Sequence, residues 1–150
     1  MKNSEISDPL FREAVEAIDS GNKEVLVGLL QQHPYLVREP LDYPEKGYFM
    51  NPYLIWFVAD NPIRHEKLPS NIAEITRLLI EYVKLEAPAT FQHQIEYTLG
   101  LVVTGRIPRE CGVQMELMDL LIGAGAKVGS GLGALAHGNI AAAERLIEKG

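Results

Sequence analysis

The chain has 150 residues, 47% of them apolar, with 13 glycines, 9 prolines and one cysteine; that is enough for one compact domain whose core needs neither disulfides nor a structural metal, and too little for two large ones. Fourteen Lys and Arg against 20 Asp and Glu leave a net charge of −6, which opposes nucleic acid and anionic lipid at long range. The longest apolar runs, such as residues 53–59, fall far short of the ~20 residues of a membrane helix; the start MKNSEISDPLF has no apolar stretch of signal-peptide length, and a single Cys111 suits a reducing interior, so a cytoplasmic protein is expected.

Asp8-Pro9 and Asn51-Pro52 each set a capping side chain directly before a proline, an arrangement that serves the free N–H groups of a helix start. After Asp8, the residues Leu10, Ala14, Val15, Ala17 and Ile18 recur at helical spacing until Asp19-Ser20-Gly21. A second helix follows, with Asn22 as its cap and a stripe of Val25, Leu26, Leu29 and Leu30, and His33-Pro34 ends it. The pairing returns with a very apolar helix over 51–60, containing Trp56 and Phe57, and another over 71–84, where Asn71 and Glu74 have capping-box spacing. Trp56 lies in a run that is apolar all round and reads as core. A third pair spans about 90–104 and 112–123, and a shorter fourth spans 132–137 and 139–149. No segment alternates as a strand does.

Aligned on the residue between paired helices, the units share landmarks. Ala17-Ile18-Asp19-Ser20-Gly21-Asn22, followed by Val25-Leu26 and Leu29-Leu30, matches Ala134-Leu135-Ala136-His137-Gly138-Asn139, followed by Ala142-Ala143 and Leu146-Ile147. Leu121-Ile122-Gly123-Ala124-Gly125-Ala126 has the form of a helix end with a left-handed glycine cap and an alanine packed beneath it. With Asn51-Pro52-Tyr53-Leu54 standing where T-P-L-H would be, the chain from about residue 8 to 150 resembles the ankyrin repeats, in a divergent form. The steps from Gly21 to Asp60, Asp60 to Gly105 and Gly105 to Gly138 are unequal, and only the last comes near the family's roughly 33 residues. The surplus falls in two inserts, 61–70 and 106–113, expected to be loops. The resemblance implies an all-α solenoid of about four stacked helix-turn-helix repeats, one domain over 1–150. The last helix keeps an apolar stripe of Ile140, Ala143, Leu146 and Ile147 where a terminal repeat is normally polar. That stripe points to a domain of a longer protein, with self-association through this end as the alternative.

Catalytic and cofactor signatures are weak. Gly131-Leu132-Gly133-Ala134-Leu135-Ala136 satisfies G-x-G-x-x-A but lacks the flanking strands of a dinucleotide fold, and Lys127 is followed by Val128 rather than Ser or Thr, so no cofactor is expected. His33, His65, His93 and His137 are too far apart to place two metal ligands on one helix face. Cys111 reads as a partly buried thiol, and the carboxylate pairs Glu13 with Glu16 and Glu116 with Asp119 read as solvated helix faces.

What remains is recognition of another protein, which the resemblance also implies. The loop 38–50, REPLDYPEKGYFM, concentrates Tyr43, Tyr48 and Phe49, and aromatic and arginine side chains are the usual anchors of interfaces. Packing of Tyr48 and Phe49 beneath the loop is the competing reading. Arg64 and His65 in the first insert, with Arg106 and Arg109 in the second, are expected to project side by side and line a groove for an acidic or extended partner. A small-molecule or metal site roofed by the inserts around His65 and Cys111 is the alternative.

Overall fold

A computed structural model of the chain describes residues 1–127. Every regular element among them is helical: α1 (Pro9–Ser20), α2 (Lys23–Gln32), α3 (Tyr35–Arg38), α4 (Ile72–Glu86), α5 (Phe91–Thr104), α6 (Arg106–Glu110) and α7 (Gln114–Gly123), with 3-10 segments at Asn3–Glu5 and Leu54–Ala59. The expected all-α class holds over these residues. The expected fourth helix pair, with His137 and the glycine-rich stretch 131–136, lies outside the described residues.

The first hairpin follows its capping chemistry. Asp8 Oδ1 accepts from the backbone N–H groups of Leu10 (2.9 Å) and Phe11 (3.3 Å), and Pro9 opens the helix where its missing N–H costs nothing. Phe11, Ala14, Val15, Ala17 and Ile18 form the buried face of α1, which ends at Gly21 in the left-handed conformation (φ +73°). Asn22 Oδ1 then accepts from Val25 N–H and starts α2. Val25, expected in the apolar stripe, is exposed: it lies in the first turn of α2, off the Leu26, Leu29 and Leu30 face that packs inward.

Two expected starts behave differently because a distant partner outcompetes the local one. Asn51 does not cap a helix. Its backbone adopts φ +45°, its N–H donates to Tyr43 O (2.8 Å) and its Oδ1 accepts from Tyr43 N–H (2.9 Å), so it closes the preceding loop instead. The helix expected over 51–60 is therefore reduced to the six-residue 3-10 segment Leu54–Ala59, all of it buried, Trp56 included. Asn71 makes no capping box with Glu74 either. Its Nδ2 donates to Gly21 O (2.9 Å), while Glu74 pairs with Lys23 (3.2 Å). A Cβ on Gly21 would lie 2.3 Å from Asn71 Oδ1, so the α1–α2 turn accepts only glycine at this close approach.

The elements stack in two rows. The first row runs α1, Leu54–Ala59, α5; the second runs α2, α3, α4, α7, each touching the next, and α1 with α2, Leu54–Ala59 with α4, and α5 with α7 pack across the rows. Leu30, Leu36, Leu54, Ile55, Ile75, Leu79, Ile95, Leu99 and Leu117 fill the continuous core between them. One polar rivet crosses it, where buried Gln94 on α5 donates from Nε2 to Val37 O (3.1 Å). The α7 end matches its sequence pattern, with Gly125 at φ +112° and Ala126 buried. The first insert has no regular element, as expected, but the second contains α6: Pro108 falls in its first turn, where no N–H is needed, and Arg106 and Glu110 pair at i, i+4. Cys111, just past α6, is exposed rather than partly buried, since Ile107 and Pro108 form the inward side of that turn.

The Asp8 cap makes one alkaline-sensitive joint. The Tyr35 hydroxyl donates to Asp8 Oδ2 (2.8 Å), and burial first, then Asp8 and the charge of Glu39, push the phenol up to about 12. The folded state thus holds this proton more tightly than the unfolded chain does. Its contribution to stability is complete below the ordinary tyrosine value of about 10 and is lost as pH rises from there through about 12. Urea midpoints across that window are expected to fall steeply in the parent and less steeply in Tyr35→Phe. The residual slope belongs to Tyr43, Tyr48 and Tyr97, which burial also raises. Identical slopes for both proteins would show that the Tyr35–Asp8 contact is not formed in solution.

Candidate functional site

The loop that follows α3 is fixed at its base by Leu41 N–H to Pro52 O (2.9 Å) and by the Tyr43–Asn51 pair. This brings Tyr48 over the first residues of the 61–70 insert, where its hydroxyl donates to Asn61 Oδ1 (2.7 Å). Asn61 Nδ2 in turn donates to Leu101 O (2.9 Å) and Thr104 Oγ1 (3.3 Å) on α5. The Tyr97 hydroxyl, from the same helix, donates to Tyr48 O. Loop, insert and helix are thereby cross-braced.

These residues form one side of an open groove of about 770 Å³. Tyr97, Gly100, Leu101 and Thr104, at spacings of three and four, are the face of α5 that floors it; Arg106 and Arg109 from α6 form the opposite side, and Glu96 lies at the far end. The Tyr97 ring stacks on buried Trp56 with centroids 4.0 Å apart and planes inclined by 21°, which gives the floor a rigid aromatic backing. Gly100 sits in mid-helix with nothing within 4 Å of where a Cβ would be. Arg106 contacts Glu110 at 2.9 and 3.1 Å and reaches Glu66 of the first insert at 3.0 Å. The two inserts therefore meet through Glu66 and Arg106. Glu96 Oε2 accepts from Gln92 Nε2 and from Lys127 N–H, and these two bonds hold its carboxyl below the usual carboxylate range.

The candidate anchors of the sequence separate into two groups. Tyr48, Arg106 and Arg109 line the groove. Phe49 does not: it is buried against Phe57 (5.1 Å) and Trp56 (5.9 Å), so packing wins for this residue while Tyr48 beside it remains 53% exposed. Tyr43 is half-buried at the loop base, its hydroxyl on Glu5 (3.1 Å). Arg64 and His65 do not project beside α6. The Arg64 side chain is only 2% exposed; it forks onto Asp19 of α1 with contacts of 2.5 and 2.9 Å, donates to Phe57 O (3.1 Å) and lies over the Phe57 ring (5.0 Å). His65 Nε2 contacts the same Asp19 carboxylate at 2.9 Å. The reason is Asp60, a buried carboxylate that accepts from the N–H groups of Arg64, His65 and Glu66 at 3.0–3.3 Å and turns the insert back toward α1.

Asn61, Tyr97, Gly100 and Thr104 were not among the anchors expected from the sequence. For Tyr97, Gly100 and Thr104 the signal was present in α5 as a polar and glycine stripe at helical spacing, while Asn61, in the insert, gave none. Among the described residues no group of three or more His, Cys, Asp and Glu side chains is placed to hold a metal, and no helix is long and apolar enough to cross a membrane. No family model matches the chain, and neither the curated proteins nor the solved structures compared with it include a match.

Proposed function

We propose that the chain is a non-catalytic protein-interaction module built from divergent ankyrin-like helix pairs, and that the groove between Tyr48, α5 and α6 is where its partner is held. Support for the repeat reading comes from the two-row order, in which successive first helices pack on one another and, in the second row, α4 packs on α7 and reaches α2 through α3, much as stacked repeats do. The observation that carries the binding reading is the braced groove. Its exposed Tyr48 and Arg106 are fixed by hydrogen bonds and ion pairs before any partner arrives, so little of their side-chain ordering remains to oppose association. A second reading, a small-molecule site, draws on the volume, which falls within the range of ligand pockets of about 300–1,000 Å³.

Gly100→Leu tests both. The side chain enters open space, and leucine is a better helix former than glycine, so the fold is retained while the groove is filled. Proteins and metabolites captured by the parent and by Gly100→Leu are compared by mass spectrometry, with far-UV circular dichroism as the folding control. A protein retained by the parent and lost at least tenfold by the variant is the expected result. A metabolite with that behaviour selects the second reading, and capture indifferent to Gly100→Leu removes the groove from both.

A further inference from the structure

We infer that the groove takes an extended acidic segment of the partner, with one carboxylate on Arg109 and the segment's backbone passing over Gly100. The inference rests on the protein-interaction reading above. The two arginines of the groove differ in what they have left to offer. Arg106 is occupied by Glu110 and Glu66 and serves as wall. The guanidinium of Arg109, one turn further along α6 and exposed, has no hydrogen bond or ion pair with any of the described residues; the residue's carbonyl accepts from Gly112 N–H. A guanidinium presents N–H donors in a planar fork that matches a carboxylate, and such charge-assisted bonds are the stronger kind. Charge complementarity also sets the direction. Glu96, ionised at the far end, rejects an acid there, so the partner's carboxylate belongs at the Arg109 end.

The floor sets the shape of the occupant. From Glu96 to Thr104 the helix advances about 12 Å, the length of roughly four residues of extended chain. At the middle of that track Gly100 presents bare backbone where any side chain would stand in the way, and the Trp56-backed ring of Tyr97 flanks it with apolar surface. An extended strand of small or apolar residues ending in an acid fits this track. A helix about 10 Å across does not approach the floor as closely. The net charge of −6 gives no long-range attraction for an acid, so recognition is confined to the Arg109 contact itself.

A phage-displayed library of random heptapeptides, selected on the full chain, tests this. Enriched peptides are expected to share an Asp or Glu at one end of a stretch of about four residues. Binding of a synthetic enriched peptide is expected to weaken roughly tenfold to a hundredfold in Arg109→Gln, to recover in part in Arg109→Lys, to vanish in Gly100→Leu, and to be unchanged in Arg77→Gln on α4. Circular dichroism checks each variant for folding. Peptides that need an open Gly100 but carry no acid, or that ignore Arg109→Gln, overturn the carboxylate inference and leave the groove standing. Selection that yields no peptide sensitive to Gly100→Leu overturns the inference together with the reading beneath it.

Discussion

Arg64→Ala is expected to destabilise the fold by about 3–5 kcal/mol, the usual cost of removing one partner from a buried ion pair. The guanidinium is almost fully enclosed, and its loss leaves the Asp19 carboxylate, itself only 14% exposed, with Asn3 and His65 as its remaining partners beside a second acid, Asp60, at 1%. It also removes one of the two donors to Phe57 O, leaving the longer Asp60 N–H bond, and the cation over the Phe57 ring. The measurement is the urea midpoint of Arg64→Ala against the parent, with Arg64→Met to keep the aliphatic volume. Arg64→Met with Asp19→Leu is expected to recover part of the loss, because it removes the Asp19 charge and leaves Asp60 with its three backbone N–H donors. A change below about 1 kcal/mol is what an exposed pair gives and would place Arg64 in solvent, as the sequence suggested.

Phe57→Ala carries the second large effect, about 3–5 kcal/mol for an aromatic ring removed from a closed core. The ring is 1% exposed and meets Phe11 of α1 edge-on at 5.7 Å, Phe49 at 5.1 Å and the Arg64 guanidinium at 5.0 Å. It is thus the contact shared by the first hairpin, the loop and the insert. Phe57→Leu, which leaves a smaller cavity, should cost less. Combined with Arg64→Ala, Phe57→Ala is expected to fall short of additivity by more than the ~0.5 kcal/mol scatter of independent sites, since the two residues lose one another as well as their separate partners. Strict additivity would dissolve this junction into unrelated contacts.

The helices legible in the sequence are those whose start and buried face are local. Asp8-Pro9 and Asn22 cap at the distance of a few residues, and α4, α5 and α7 show their period within one turn or two. The segment Leu54–Ala59 was legible as a buried apolar helical stretch but not in its start or its 3-10 form. Its six residues are uniformly apolar and carry no period, and Asn51 is diverted by Tyr43 across the loop. The same physics hid half of the candidate site. Arg64 reads as a solvated loop cation because its partner lies 45 residues away, whereas Arg106 and Arg109, on a short surface helix, sit where a charged residue is expected to sit. Tyr97 and Gly100 were passed over because a helix that buries most of one face gives no reason, on sequence alone, to search its other face for a floor.

The shortened middle member of the first row changes what the 61–70 insert means for this architecture. Surface loops ordinarily absorb changes of length at little cost. Here the insert brings back a guanidinium that donates to a carbonyl of the 3-10 segment and covers its aromatic ring. Removing the insert alone would therefore uncover the Phe57 ring and take a donor from the same residue's carbonyl.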